Sequence, residues 1–171
     1  MKHRARRNPS DRPAAGDPPV TSLRVGTTLY HGTQEQGDFA ELGDPGWVTD
    51  SWDTAWWFAA RDSGSPDDAR IVRYRVKAAP RLLAIGEEIA SRAFHDAVAR
   101  AVGPRRLRHD YADTSFRELA RAVCEAGYDG WRVDYAYPQG GSDVLLCHPA
   151  RWLELVGTEP IARPNPRRRR R

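Results

Sequence analysis

Cysteine is scarce in this chain: Cys124 and Cys147 are the only two among 171 residues. That count argues against the disulfide framework of a small secreted domain. The expectation is two reduced, buried thiols. Cys124 sits among Ala122, Val123 and Ala126 on a predicted helix, where it reads as packing rather than as a nucleophile, and Cys147 lies on a predicted strand. Metal-ligand spacing is also missing. There is no Cys-x-x-Cys and no His-x-x-x-His pair, so no metal site is expected. No glycine-rich phosphate loop of the P-loop or Rossmann kind occurs, and no internal repeat is visible. No apolar run is long enough to span a bilayer. The N-terminus is basic and proline-rich without an apolar stretch, unlike a secretory signal. A cytoplasmic protein is the expectation from these absences.

What is present fits a single soluble domain. Hydrophobic residues make up 40% and charged residues 29%. The net charge of +4 is unevenly distributed. Residues 1–19 contribute +3 and residues 163–171 contribute +6, which leaves −5 for residues 20–162 (+4 less +9). An acidic body thus carries two basic tails. Residues 1–20 and 160–171 read as disordered, the second ending in five arginines. Contact with nucleic acid through these tails is one expectation. A merely solvated terminus is the other. The domain is assigned to 21–159.

Within it, the pattern mixes periods of two and 3.6. Leu23, Val25, Thr27 and Leu29 alternate toward His31 as a strand, and residues 71–78 alternate as another. Asp50 or Ser51 is expected to cap a helix running to about Ala60. Further helices are expected over Glu87–Val102, stopped by Gly103-Pro104, and from an Asp113 or Thr114 cap to Ala126, with Gly127 at its end. Short strands are predicted at Gly130–Asp134 and Asp143–His148, joined by a turn at 138–141, with Trp152–Val156 as a possible third. This order points to an α+β fold.

The chemistry-bearing residues cluster. Tyr30-His31-Gly32-Thr33 ends the first strand. Trp47-Val48-Thr49-Asp50 follows, and then a tryptophan-rich helix start with Trp52, Trp56 and Trp57. Late in the chain, Ser142-Asp143-Val144-Leu145-Leu146 puts an acid at the head of an apolar strand. A histidine, a backbone-exposing glycine and aromatic faces together suit a flat polar ligand.

In order and spacing these segments resemble the ADP-ribosyltransferases, the superfamily of diphtheria toxin and the poly(ADP-ribose) polymerases. Gly127-Tyr128-Asp129-Gly130 resembles a turn of several bacterial and phage members. The resemblance spans about residues 24–157. It implies a split β-sandwich, two small packed sheets with peripheral helices and a central cleft for NAD. It also implies cleavage of the nicotinamide–ribose bond through an oxocarbenium-like state, which needs a nearby negative charge.

On this resemblance, Asp143 is the catalytic carboxylate, where the family usually has Glu. His31 binds the NAD through a ribose, Gly32 offers backbone groups to the nicotinamide amide, and Thr33 supports the turn. Trp47, usually Tyr in the family, and Trp57 are the stacking aromatics, with Thr49 beside them. Trp52 and Trp56 are assigned to packing and His148 to a strand terminus. Gly141, two residues before Asp143, stands where arginine-modifying members carry an acid and others carry Gln, which argues mildly against arginine as the target. The implied activity is mono-ADP-ribosyl transfer from NAD to a macromolecular acceptor, protein or nucleic acid, as in small toxins and effectors. The alternatives are an NAD glycohydrolase, a small-molecule modifier, or a non-catalytic binding module. Rifamycin-modifying transferases begin with a similar Tyr-His-Gly-Thr, but their acid falls earlier, and residues 71–80 offer none.

Overall fold

A computed structural model describes residues 18–33, 42–61, 69–86, 89, 91–134 and 141–160. The strands are β1 (Val20–Thr21), β2 (Thr28–Thr33), β3 (Gly46–Thr49), β4 (Arg70–Val76), β5 (Leu82–Ile85), β6 (Gly130–Asp134), β7 (Ser142–Leu146) and β8 (Leu153–Pro160). The helices are α1 (Trp52–Arg61), α2 (Arg92–Val102), α3 (Phe116–Glu125) and the single turn α4 (Pro149–Trp152). The fold is α+β, as expected.

All eight strands belong to one sheet, in the order β1-β5-β6-β7-β3-β2-β4-β8. Only β5 and β6 run parallel. Where the resemblance implies two sheets, the strands here share one hydrogen-bonded sheet with a weak line in it. β2 and β4 pair through six residues and β3 and β7 through four, but β2 meets β3 at the single pair Tyr30↔Thr49.

The sheet must curl. β4 and β5 stand five places apart in the order, about 24 Å in a flat sheet. Yet Val76 and Leu82 are six residues apart along the chain, a reach of at most about 20–22 Å. Coiling brings Val76 and Leu82 into one core with Leu29, Tyr74, Val144, Leu146 and Leu153. Every one of these is essentially inaccessible to water.

Cross-strand partners share a face. The register therefore puts Tyr30, Thr49, Asp143, Val133 and Ile85 in one row on the opposite face. α2 and α3 cover part of this face, packing Phe94, Val98, Leu119 and Val123 around Trp131, Val133 and Leu145. α1 covers another part. A Cβ on Gly32 would fall 2.0 Å from the carbonyl oxygen of Ala55, so the helix backbone lies directly on that glycine.

Several boundaries differ from expectation, each for a local reason. α2 starts at Arg92 because Ser91 caps it, its hydroxyl accepting from Phe94 N at 3.0 Å. Glu87, Glu88 and Ala90 lie outside the described residues. α3 is capped by Ser115 instead of Asp113 or Thr114, its hydroxyl accepting from Glu118 N. Gly127, at φ 87°, follows as expected. The first strand begins only at Thr28, since Val25-Gly26 forms a turn with Gly26 at φ 89°. Strands β1, β3 and β5 were not anticipated. The domain also reaches past both assigned limits: Pro19 O accepts from Ala84 N, and Pro160 pairs with Arg70. The rest of both tails, and most of the 138–141 turn, lie outside the described residues.

The cysteines are a correction. Cys124 and Cys147 form a disulfide, with Cα atoms 5.7 Å apart. The Gly127–Gly130 turn reverses the chain from α3 into β6, and Cys147 N donates to Asp129 O, which brings the end of β7 under the last turn of α3. This contact across 23 residues is tertiary and has no periodic signature. The cytoplasmic expectation rested partly on reduced cysteines, and that ground falls away, because disulfides persist in oxidising compartments. No helix among the described residues is long and apolar enough to cross a membrane.

A bridge closing a loop of this length constrains the unfolded chain by about 2–4 kcal/mol. Urea unfolding of the oxidised protein and of a Cys124→Ser/Cys147→Ser variant should differ by that amount. Coincident midpoints would mean that the bridge adds nothing to stability.

Candidate active site

The three segments singled out in the sequence converge on β2, β3 and β7. Tyr30 pairs with Thr49, and Thr49 pairs with Asp143, so residues 30, 49 and 143 occupy one cross-strand row. Asp143 is 7% exposed and Thr49 4%. A strand-opening aspartate of the ordinary kind faces water. Asp143 instead lies inward, level with Val133 and one step from Leu145, where a carboxylate is costly. The exposed position falls to Gly141, just before the strand.

His31 lies one residue past the last β2–β3 pair. Its Nδ1 is 2.8 Å from the carbonyl oxygen of Trp47. A carbonyl only accepts, so Nδ1 carries the proton, and in the neutral ring Nε2 is the acceptor nitrogen. The imidazole thus bridges the two strands just where their backbone ladder stops. By the pleat, His31 belongs to the face of Leu29 and Val72, opposite the Asp143 row. His31 and Asp143 come to the same seam from its two sides.

Gly32 has a structural task of its own, since any side chain would strike Ala55 and Ala59 of α1. Thr33 pairs with Arg70 at the end of β2. Residues 34–41 beyond it lie outside the described residues.

The two stacking tryptophans part company. The ring of Trp47 stacks on Phe116 at 5.0 Å and meets Trp131 edge-on at 5.8 Å. It is part of the helical core, so the expected role as a ligand platform is at odds with its packing. Trp57 is two residues past Ala55, about 200° around the helix from the face that meets Gly32. Its ring packs against Phe58. Trp57 and Gly32 therefore do not converge. Trp52, assigned to packing, is 41% exposed, and its indole donates to Glu159 at 3.4 Å. It opens α1, where one side of the ring meets solvent. His148 follows β7 and pairs with Asp44 at 3.0 Å, consistent with a strand terminus.

A polar clamp next to Asp143 was not foreseen. Ser142 N donates to Asp50 Oδ1 at 2.7 Å, and Asp50 N donates to Ser142 O at 3.2 Å. Thr49 Oγ1 donates to the same Ser142 carbonyl at 2.9 Å. Arg132 donates to Ser142 Oγ and to Asp134 Oδ1, both at 2.8 Å, and lies 3.5 Å from Asp50. Ser142 Oγ also donates to Asp134. Every atom of Ser142 that can hydrogen-bond is held. A usable signal existed: Arg132-x-Asp134 puts opposite charges on one strand face, outward of Trp131 and Val133.

Gly141 completes the clamp. Its φ is +99°, and a Cβ there would lie 2.4 Å from Ser51 Cβ and 2.9 Å from Asp50 Oδ1. A longer side chain, such as the acid or glutamine that the resemblance describes at this place, has no room. The Gly-Tyr-Asp-Gly turn is likewise structural. Asp129 accepts from Arg81 N at 2.7 Å, and a Cβ on Gly130 would strike Leu145 O. Among the described residues no group of His, Cys, Asp and Glu could hold a metal ion.

Compared with protein-family models, curated proteins and solved structures, the chain matches none.

Asp134 offers a handle on the clamp. Burial works against its charged form, but hydrogen bonds from Ser142 and Arg132, with the charge of Arg132, outweigh this and hold its carboxyl below the usual value of 3.8. A lowered native pKa stabilises the fold above the unfolded value and ceases to do so as pH falls through the native one. Wild type should therefore exceed Asp134→Asn in thermal midpoint at pH 6–7. The gap should close as pH falls below about 4. A gap that persists unchanged to pH 2 would show that the carboxylate is not the stabilising group.

Proposed function

We propose that this protein is an NAD-dependent mono-ADP-ribosyltransferase of the histidine–aromatic–acid type, with the split-sheet architecture of that superfamily. The observation that carries the reading is the row Tyr30–Thr49–Asp143 beside the His31–Trp47 bond. Three segments, chosen from the sequence because they resemble the three family motifs, are hydrogen-bonded neighbours at one interruption in the sheet. Nothing in their spacing along the chain requires that.

In this reading NAD lies across the seam as substrate. Asp143 hydrogen-bonds a ribose hydroxyl and carries the negative charge that offsets the developing oxocarbenium ion. The C–N bond to nicotinamide breaks, nicotinamide leaves with its electron pair, and a nucleophile on the acceptor closes the new bond at the ribose carbon and gives up its proton. His31, with Nδ1 held by Trp47 O, has its imidazole fixed in orientation for a ribose contact. The clamp on Ser142 fixes the backbone from which the short aspartate must reach. Aspartate is one methylene shorter than the usual glutamate, and a misplacement near 1 Å can cost about 100-fold. A rigid Ser142 supplies the compensating precision.

The test is nicotinamide release from NAD by the oxidised full-length protein, with a cell extract as acceptor source. Asp143→Asn, nearly isosteric, should lower release at least 100-fold while leaving the circular dichroism spectrum unchanged. His31→Ala should lower it as well. NAD binding without release by the wild type would overturn the transferase reading in favour of a non-catalytic module. Release without any labelled macromolecule would point to a glycohydrolase.

A further inference from the structure

The corner between α2 and α3 bears features that the NAD site does not use. The loop leaving α2 returns alongside α3. Arg106 donates to Glu125 O at the far end of α3, and Arg108 N donates to Glu118 Oε1 near its start, at 2.9 and 2.6 Å. Two tracks result, Arg105, Arg106 and Arg108 on the loop and Arg117 and Arg121 one turn apart on the helix. All five are exposed, within the roughly 15 Å length of a ten-residue helix. Among the described residues none of the five is in an ion pair. Of the acids nearby, Glu118 is buried and bonded to Arg108 N, Asp96 lies 3.4 Å from His95 Nδ1, and Asp110, Asp113 and Glu125 remain at the surface. Residues 103–125 carry these five arginines and four carboxylates, a net +1 on a body of net charge −5.

Three residues past Arg108, Tyr111 borders a cavity of about 230 Å³ at the N-terminal end of α3, which none of the five arginines lines. Phe94, His95, Tyr111, Thr114, Phe116 and Leu119 line it. Its walls are largely aromatic, with polar groups at fixed points. His95 is 8% exposed, its Nε2 3.3 Å from Thr114 Oγ1 and its ring edge-on to Tyr111 at 5.7 Å. Tyr111 is 39% exposed at the mouth. Cations in a line suit a phosphate backbone, and an aromatic pocket with a few hydrogen-bonding groups suits a base. An acidic peptide would use the arginines but leave the aromatic cavity unfilled.

We propose that the α2–α3 corner binds single-stranded nucleic acid, the five arginines along the backbone and one base in the Tyr111–His95–Phe116 cavity. Phe116 is also the residue on which Trp47 stacks, so the cavity and the seam share a wall. Nucleic acid bound here is then the acceptor class for the transferase. That last step rests on the proposed NAD chemistry, whereas the binding does not.

The experiment is fluorescence anisotropy of a labelled 20-nucleotide single strand with full-length protein, in the absence of NAD, over a range of salt. The wild type should bind with steep salt dependence. Arg117→Glu/Arg121→Glu should weaken binding at least tenfold and reduce the slope of log K against log salt by about 1.4, two contacts at about 0.7 each. Tyr111→Ala should weaken it about fivefold or more with the slope unchanged. Circular dichroism checks that both variants fold. Three results would overturn the proposal: equal affinity in both variants, loss only when the arginines at 167–171 are replaced, or equal binding of a polyglutamate peptide. Binding that behaves as expected beside absent nicotinamide release would retain this surface and remove the transferase reading alone.

Discussion

One residue pair holds the two halves of the sheet together. Between β2 and β3 the ladder is reduced to Tyr30↔Thr49, and a side chain, His31, continues the connection through the Trp47 carbonyl. A full ladder at this position would pair the facing backbone groups of both strands. Interrupting it costs hydrogen bonds, and the curl of the sheet offsets that cost by burying Leu29, Val72, Tyr74, Val144 and Leu146 in a shared core. The position of α1 follows from the same constraint. With Gly32 bare of a side chain, the helix backbone packs directly against β2 beside the seam, and it stiffens the strand where pairing is weakest.

The other side of the seam is stiffened by charge and hydrogen bonds. Thr49, the end of β3, and Asp50 after it hold both backbone groups of Ser142, while Arg132 and Asp134 hold its hydroxyl. Such a network is worth having only when every member is satisfied. Here it fixes one residue, and the next residue is the buried Asp143. Gly141 belongs to the same logic, because the clamp occupies the volume that a side chain there would need.

The parts of the fold legible in the sequence were those with strong local signals. α3 could be read from its apolar spacing and from Gly127, and β6 and β7 from short apolar runs beside turn residues. The motif residues His31, Thr49 and Asp143 did fall on neighbouring strands. What the sequence hid was tertiary. The four-residue strands β3 and β5 are too short for a period of two to stand out. The disulfide joins residues whose approach depends on the Gly127–Gly130 turn and the register of β6 on β7. Trp47 reads as a ligand platform because aromatic residues at a site and in a core look alike in sequence. Only the position of Phe116, 69 residues away, decides between them. Ser115 is the exception: its side-chain cap on Glu118 N was written in the chain, and the Asp and Thr just before it drew the boundary away.

The packing of Trp47 gives the site a connection that a simple stacking role would not. Its carbonyl receives His31 Nδ1, and its ring rests on Phe116 and Trp131. The backbone of one residue therefore closes the seam while its side chain anchors the start of α3. The other end of α3 is tied by Cys124 to Cys147, four residues beyond Asp143. A helix fixed at both ends to the two strands that form the site cannot shift without moving one of them, because packed interiors transmit displacement instead of absorbing it. Rings that would otherwise be free to hold a ligand serve here to set the relative position of β3 and β7. That position sets where the buried Asp143 stands relative to the seam between β2 and β3.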